Sequence, residues 1–581
     1  MSNVVLLLLV VPIAGAIAAA LLGAARAAAV RWASLAATLT ALVLAMIIAG
    51  SFVQLRLGET SQENSDVTFH PEFVPGAPGV LLATSGASDM ADVHGTSWEL
   101  VRFGSGPAAT AVRFYLGIDG LNVWLIVLTA LLMVCSVLVS WTAIRERENE
   151  FYAWLLALET GLLGVFMSFD IVLFYLFFEL TLVPLFFVIG IWGGPQRRYA
   201  ARKFFIYTLT GSLFTLLGVL TAVLACYFRA DELTFSLPRL VQLVHQRMLI
   251  DSVDERAFWH TVQFWVFLAM AAGFAVKVPL VPLHTWLPLA HVEAPTAGSV
   301  ILAGVLLKIG SYGFLRLCLP LAPDASVTLG VPLIGTLAVI GIVYGALCAL
   351  AQNDIKRLVA YSSVSHLGFC MLGMFALDQA GLSGSLMQMI NHGLSTGALF
   401  LLVGMLYERY HTRLMKDYGG IGARLGLLAC FMVFFCLTSA GLPGLNGFVG
   451  EVLILMGAFN LQISKGQWPT LAVVGSTGIV LGAWYLFTML RQVFFGPVKE
   501  PEVAGPEHQH APVRDLHLRE LAALIPIGVV CIWLGVYPQP FFDTVRRDID
   551  VVARAVDVAK QSPSLAVRHS VPVSQPKEKL P

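Results

Sequence analysis

The stretch Gly273-Phe274-Ala275-Val276-Lys277-Val278-Pro279-Leu280-Val281-Pro282-Leu283-His284-Thr285-Trp286-Leu287-Pro288 sets a lysine in an apolar run and follows it with three prolines. Inserting a charged residue at mid-membrane costs about 2.5–3.5 kcal/mol. Proline removes a backbone donor and clashes with the preceding turn, so a helix is expected to open just past Lys277. Such unwound backbone is tolerated in a bilayer only against protein or a wet cavity. A second stretch repeats the arrangement: Gly441-Leu442-Pro443-Gly444-Leu445-Asn446-Gly447 interrupts an apolar run just before Glu451.

The rest of the chain supports a bilayer setting. Its 581 residues are 57% hydrophobic and 12% charged, about half the roughly 25% charge of a soluble domain. That composition excludes both a watery surface and a disordered chain. Lys+Arg and Asp+Glu are each 36, so no basic field exists to attract nucleic acid. A crossing needs roughly 20 apolar residues. Fourteen segments qualify, near 3–23, 31–53, 119–141, 151–169, 171–193, 204–227, 261–285, 296–318, 327–350, 357–376, 382–407, 425–445 (continuing to about 463), 469–491 and 519–540. Continuous runs such as Leu155–Ser168 argue against the alternating strands of a barrel.

The expected fold is therefore all-α and polytopic, with about 14 transmembrane helices, the seventh and twelfth broken. An offset of five makes the two broken elements antiparallel, which predicts two inverted five-helix repeats. The chain divides into 1–118 (two helices and an outer loop), 119–495 (a core) and 496–581 (a last helix and tail). Pro71, Pro75 and Pro78 mark 54–118 as an irregular cap, and 561–581 reads as disordered. With both termini outside, the inside connections collect 18 Lys/Arg and the outside connections 8, the bias expected of cytoplasmic loops. Seven further basic residues in the tail oppose that orientation. The eight cysteines lie in or beside apolar segments without a C-x-x-C pair, so they read as small hydrophobes. Neither an iron–sulfur nor a zinc ligand set can be assembled from them, and no dinucleotide fingerprint follows a strand.

The informative residues are the ionisable ones inside spans: Glu179, Lys277, Lys308 and Glu451, joined by His284, His291, His366 and His392. A single buried pair can be a static tie between helices, and a lone histidine can be core packing. Four charges spread over the sequence point instead to an ion or proton path. Gln388, His392, Ser395 and Thr396 share one helix face, a polar ridge suited to a proton relay or to interhelical hydrogen bonds.

Several motifs are similar to those of a known family. Phe178-Glu179-Leu180-Thr181-Leu182-Val183-Pro184, Lys277-Val278-Pro279 with His284-Thr285-Trp286-Leu287-Pro288, and His291-Val292-Glu293-Ala294-Pro295-Thr296-Ala297-Gly298 resemble the antiporter-like membrane subunits of respiratory complex I, the proton-pumping NADH:quinone oxidoreductase. So do Asn353-Asp354-Ile355-Lys356-Arg357 through His366 and the run Gly447-Phe448-Val449-Gly450-Glu451. The resemblance spans roughly 115–495 and implies site positions at Glu179, Lys277, Lys308 and Glu451. A glutamate in the twelfth helix favours one of the family's three sister chains, the others usually carrying lysine there. Leu289 departs from the family, which commonly has an aspartate at that position, and Glu293 is not assigned its role.

The resemblance implies a proton-translocating subunit with no cofactor of its own. NADH, FMN, iron–sulfur clusters and quinone would belong to partner subunits, and adjacent antiporter-like chains would flank this one in a bacterial inner membrane. On this reading Glu179 modulates Lys277, Lys308 and His392 act as central relays, Glu451 carries the proton outward, and His366 and His284 are further candidates. A Glu179–Lys277 pair at about 4 Å and an effective dielectric near 20 is worth roughly 4 kcal/mol. The alternatives are the large chain of a multisubunit sodium/proton antiporter, a related membrane hydrogenase arm, and a membrane scaffold.

Overall fold

The computed structural model describes residues 1–58, 67–77, 95–103, 110–250, 252–463, 466–467, 469–501 and 513–561. Among them, twelve helices are long and apolar enough to cross a membrane. In chain order the helices are α1 (Ser2–Leu22), α2 (Ala27–Gly58), α3 (Val123–Ala143), α4 (Glu148–Met167), α5 (Ile171–Leu180), α6 (Leu182–Trp192) and α7 (Arg197–Ala230). There follow α8 (Leu237–Met248), α9 (Val253–Lys277), α10 (Trp286–Glu293), α11 (Thr296–Leu321), α12 (Pro323–Leu350), α13 (Ile355–Met374) and α14 (Gln379–Tyr410). The last are α15 (Gly426–Ser439), α16 (Asn446–Phe459), α17 (Pro469–Val493), α18 (Leu518–Val536) and α19 (Gln539–Gln561). The polar α13 and the interrupted pair α15–α16 bring the described crossings to the expected fourteen.

Local chemistry explains where these helices begin and stop. Asp170, Asp354 and Asp378 accept backbone N–H groups at the starts of α5, α13 and α14, satisfying donors that a helix start leaves free. The fifth crossing is interrupted at Thr181, whose hydroxyl donates to the Phe178 carbonyl at 2.8 Å. Pro184, three residues on, cannot donate back to Leu180, which accounts for the interruption.

Both breaks fall where the prolines and glycines predict. α9 ends at Lys277, and the Trp286 indole donates to the Val276 carbonyl at 2.9 Å, filling an acceptor left open at the helix end. Gly310 of α11 passes close against this break: a Cβ there would meet the Lys277 Cβ at 2.8 Å. The second break separates α15 from α16. α4 to α11 and α12 to α17 thus hold five crossings each, with the broken one fourth in each group.

α11 and α14 are buried along their whole apolar length, whereas α1, α2, α17 and α18 lie at the periphery. Arg26, Arg145 and Arg147 in the connections, with Arg31 at the start of α2 and Arg197 and Arg198 at the start of α7, share one end of the bundle, here called the arginine-rich end. At the opposite end an antiparallel hairpin pairs Glu99–Phe103 with Thr110–Arg113, so the cap of 54–118 is not wholly irregular.

The tail contains a helix that the hydropathy pattern did not reveal. α19 buries Phe541, Val545, Ile549, Val552 and Val556, the spacing of one helix face. Its Asp548 is buried too, accepting from the Gly120 N–H at 2.8 Å and lying 3.3 Å from Arg56. Alternating charges such as Arg546, Arg547 and Asp550 mask this face in any average over the segment. The stretch 562–581, read as disordered, lies outside the described residues.

Candidate functional site

The two most enclosed helices, α11 and α14, carry Lys308 and His392. α11 contains two wide turns, Leu302–Leu306 and Phe314–Cys318, on either side of Lys308. Wide turns of this kind recur at functional sites because they free carbonyls from the regular ladder. Lys308 uses one of them, donating from Nζ to the Ala303 carbonyl at 2.5 Å. The same Nζ lies 2.6 Å from His392 Nδ1.

The polar contacts continue across the second repeat. The His392 ring centroid is 5.7 Å from that of His366 on α13. His366 Nδ1 lies 3.5 Å from Glu451 Oε1 on α16, and its Nε2 lies 3.3 Å from the Tyr485 hydroxyl on α17. Gln388 donates to the same Glu451 oxygen at 3.2 Å. Asn391 donates to Gln388 at 3.3 Å and to the Asn446 carbonyl at 2.7 Å. Lys308, His392, His366 and Glu451 are all buried and form a file of four titratable groups through the interior. His366 stands between His392 and Glu451 in it.

The second break shapes the far end of this file. Gly441 has φ 73°, and a Cβ there would meet Glu451 Oε2 at 2.8 Å. Glycine therefore serves both the turn and the close approach of the carboxylate.

The Lys277 end corrects one expectation. Lys277 and Glu179 do not come within ion-pair distance, and neither Lys277 Nζ nor Glu179 Oε1 has a hydrogen-bond partner among the described residues. Nζ sits instead over the Phe178 ring, 4.6 Å from its centroid. The residue preceding Glu179 thus takes the ammonium on its aromatic face, a contact worth about 2 kcal/mol when desolvated. His284 lies at the same break, with its ring 5.3 Å from that of Tyr344, and joins none of the contacts of the central file. His291 stacks flat on Phe400 at 4.6 Å. On the α14 ridge Gln388 and His392 are engaged, Ser395 is buried, and Thr396 Oγ1 has no partner among the described residues.

Sequence reading passed over several further buried ionisable groups, four of which stand out. Arg316 and Asp119 form a fully buried bidentate pair at 2.6 Å, with Arg316 also donating to the Tyr312 hydroxyl at 2.9 Å. Lys356, counted as a loop charge, is buried and donates to the Ala294 carbonyl at 2.5 Å. Glu159 lies fully buried within α4. The signal that exposed Lys308, a charge inside an apolar run, applies equally to Arg316 and Glu159. Glu293 is occupied elsewhere: its carboxylate accepts the Gln196 N–H at 2.8 Å, bracing the connection between α6 and α7.

Fourteen crossings among the described residues, with helices broken beside Lys277 and Glu451, define an antiporter-like membrane protein. Residues 168–482 match the family described as NADH:quinone oxidoreductase/Mrp antiporter, TM, and the chain belongs to that family. It is 42% identical over 438 residues to the NADH-quinone oxidoreductase subunit M of Pseudomonas aeruginosa, covering 74% of this chain and 80% of that one. It is 40% identical over 434 residues to the NADH-ubiquinone oxidoreductase chain 4 of Chondrus crispus, covering 74% and 82%. Among solved structures, a chain of respiratory complex I from Thermus thermophilus with bound NADH superimposes with TM-score 0.74 at 28% identity, covering 95% of this chain and 99% of that one. A chain of the Mrp complex from Dietzia sp. shares the fold, with TM-score 0.73 at 19% identity over 96% and 97%.

Proposed function

We propose that the chain is the M-type (chain 4) membrane subunit of a proton-pumping NADH:quinone oxidoreductase, and that the file Lys308–His392–His366–Glu451 carries its protons. NADH, FMN, iron–sulfur clusters and quinone belong on this reading to partner subunits, with adjacent antiporter-like chains as membrane neighbours. The arginine-rich end faces the cytoplasm of a bacterial inner membrane, and both termini lie outside.

The observation that carries the reading is the succession of buried titratable groups, in direct polar contact from Lys308 to His392 and from His366 to Glu451, with the two imidazole rings 5.7 Å apart between centroids and not hydrogen-bonded to each other. Lys308 passes a proton to His392 Nδ1 across 2.6 Å, and the imidazolium hands it on toward His366 and Glu451. Glu451 releases it toward the outer side. Lys277, held over Phe178 with Glu179 on the same helix, sets the charge that the Lys308 site feels. Moving a proton against ~150 mV costs about 3.5 kcal/mol, comparable with the roughly 4 kcal/mol of a charge pair at close range. Forming and breaking the His366–Glu451 contact is thus of the right size to gate one proton.

The test is proton transport by the assembled complex in sealed vesicles, with Glu451→Gln and His366→Ala. Proton uptake should fall while the complex stays assembled and still oxidises NADH. Unchanged pumping in both variants would overturn the reading. Sodium/proton exchange by the chain without redox partners would move it to the antiporter branch of the family.

A further inference from the structure

Away from the central file, α4 holds a carboxyl that the mechanism above does not use. Glu159 is fully buried midway along α4, and neither of its oxygens has a hydrogen-bond partner among the described residues. It takes part in no ion pair among them. A buried carboxylate with neither donor nor counter-charge is far costlier than the protonated acid. Ionisable groups inside membrane segments are functional-site candidates by default.

The surroundings give Glu159 a route to one side of the membrane. Glu148, Tyr152 and Glu159 stand at i, i+4 and i+11, so they share one face of α4. Glu148, at the arginine-rich end, holds Arg31 of α2 through two hydrogen bonds of 2.7 Å. Tyr152, between them, is buried with its hydroxyl unpartnered among the described residues. α2 adds Ser34 and Thr38, both buried, three and seven residues past Arg31. Their hydroxyls turn back onto carbonyls of their own helix, as such side chains do when they line a helix without a partner. Polar side chains thus follow this face from the Arg31–Glu148 ion pair to Tyr152, and the lone acid Glu159 stands two turns, about 10 Å, further along it. A carboxyl kept only for packing would gain nothing from that line, since apolar residues of similar volume fill such sites as well or better.

We infer that Glu159 is a second proton-exchanging site of this chain, loaded from the arginine-rich end along the Glu148–Tyr152 line. Loading is plain protonation. Hydronium at that end gives its proton to the Tyr152 oxygen, the Tyr152 O–H proton passes to water in the gap of about 10 Å beyond it, and that water protonates the Glu159 carboxylate, forming an O–H bond there. Release breaks that bond, and the proton leaves to water. The inference rests on the proton-translocating reading above.

The test uses the intact complex in sealed vesicles, comparing Glu159→Gln, Glu159→Leu and Tyr152→Phe with Glu451→Gln as reference. Protons moved per NADH and the infrared band of a protonated carboxyl are both recorded. Both Glu159 variants should remove a carboxyl band that exchanges with deuterium, and should slow pumping about tenfold or more. Tyr152→Phe should keep the band but slow its deuterium exchange. A Glu159→Leu complex that pumps at the parental ratio with no band lost would overturn the inference, as would a band whose exchange ignores Tyr152→Phe. Parental pumping in Glu451→Gln as well would instead strike at the underlying reading.

Discussion

Lys308 Nζ lies 2.6 Å from His392 Nδ1, and this contact joins the last crossing of the first repeat to the third crossing of the second. Each repeat alone carries a charged group beside a broken helix, Lys277 in the first and Glu451 in the second. On the proposed reading the lysine–histidine contact makes them one conductor, because a proton leaving α11 has an acceptor already in hydrogen-bond reach on α14.

The first prediction concerns that seam. His392→Ala and Lys308→Met should each slow proton transport about tenfold or more, and the double variant should be little worse than either single one. Vesicle-based pumping assays of the four combinations check this. Additive losses would mean that the two groups act separately.

A second prediction concerns the buried pair Arg316–Asp119. Removing one partner strands a charge and should destabilise the assembled protein by about 3–5 kcal/mol. Replacing both by leucine should recover most of that loss. Thermal melting of the purified complex, monitored by dissociation of this subunit, distinguishes the three variants.

The third prediction follows from the aromatic face under Lys277. Phe178→Leu removes a contact of about 2 kcal/mol to the ammonium, which amounts to roughly a thirtyfold change in an equilibrium between charge states at 1.36 kcal/mol per tenfold. Pumping should fall with Glu179 and Lys277 both intact, and Phe178→Trp should retain it. Equal activity in Leu and Trp variants would refute a role for the ring.

The fourth prediction is a pH dependence at the C-terminal helix. Burial pushes the Asp548 carboxyl up to about 7, helped by Asp119 and opposed by Arg56 and Arg316. An acid raised above its unfolded value, near 4, favours docking most below about pH 4. That contribution fades as pH rises through about 7. Protease sensitivity of Gln539–Gln561 should therefore increase between about pH 5 and about pH 8, and Asp548→Asn should abolish the increase. A cleavage rate that ignores both pH and the substitution would contradict the assignment.

Much of this architecture was legible in the chain. Prolines at 279, 282 and 443 and glycines at 441 and 444 marked the breaks, because their backbone chemistry is local. Charges inside apolar runs marked Lys277, Lys308 and Glu451 for the same reason. What remained hidden depended on pairing at long range. The Lys308–His392 contact needs two helices 84 residues apart, and it needs a wide turn that no residue type announces. The Glu179–Lys277 distance was misjudged because α5 stops at Leu180 and Phe178 takes the ammonium. α19 escaped notice because an amphipathic surface helix averages to ordinary polarity.

Asp548 reaches Arg56 across 492 positions of sequence, so the final helix grips the second one. Ribosomes deliver α2 early and α19 last. The opening hairpin must therefore wait in the bilayer without its clasp until synthesis is nearly finished, and a nascent chain cut short near its end would leave that guanidinium without its distant acid.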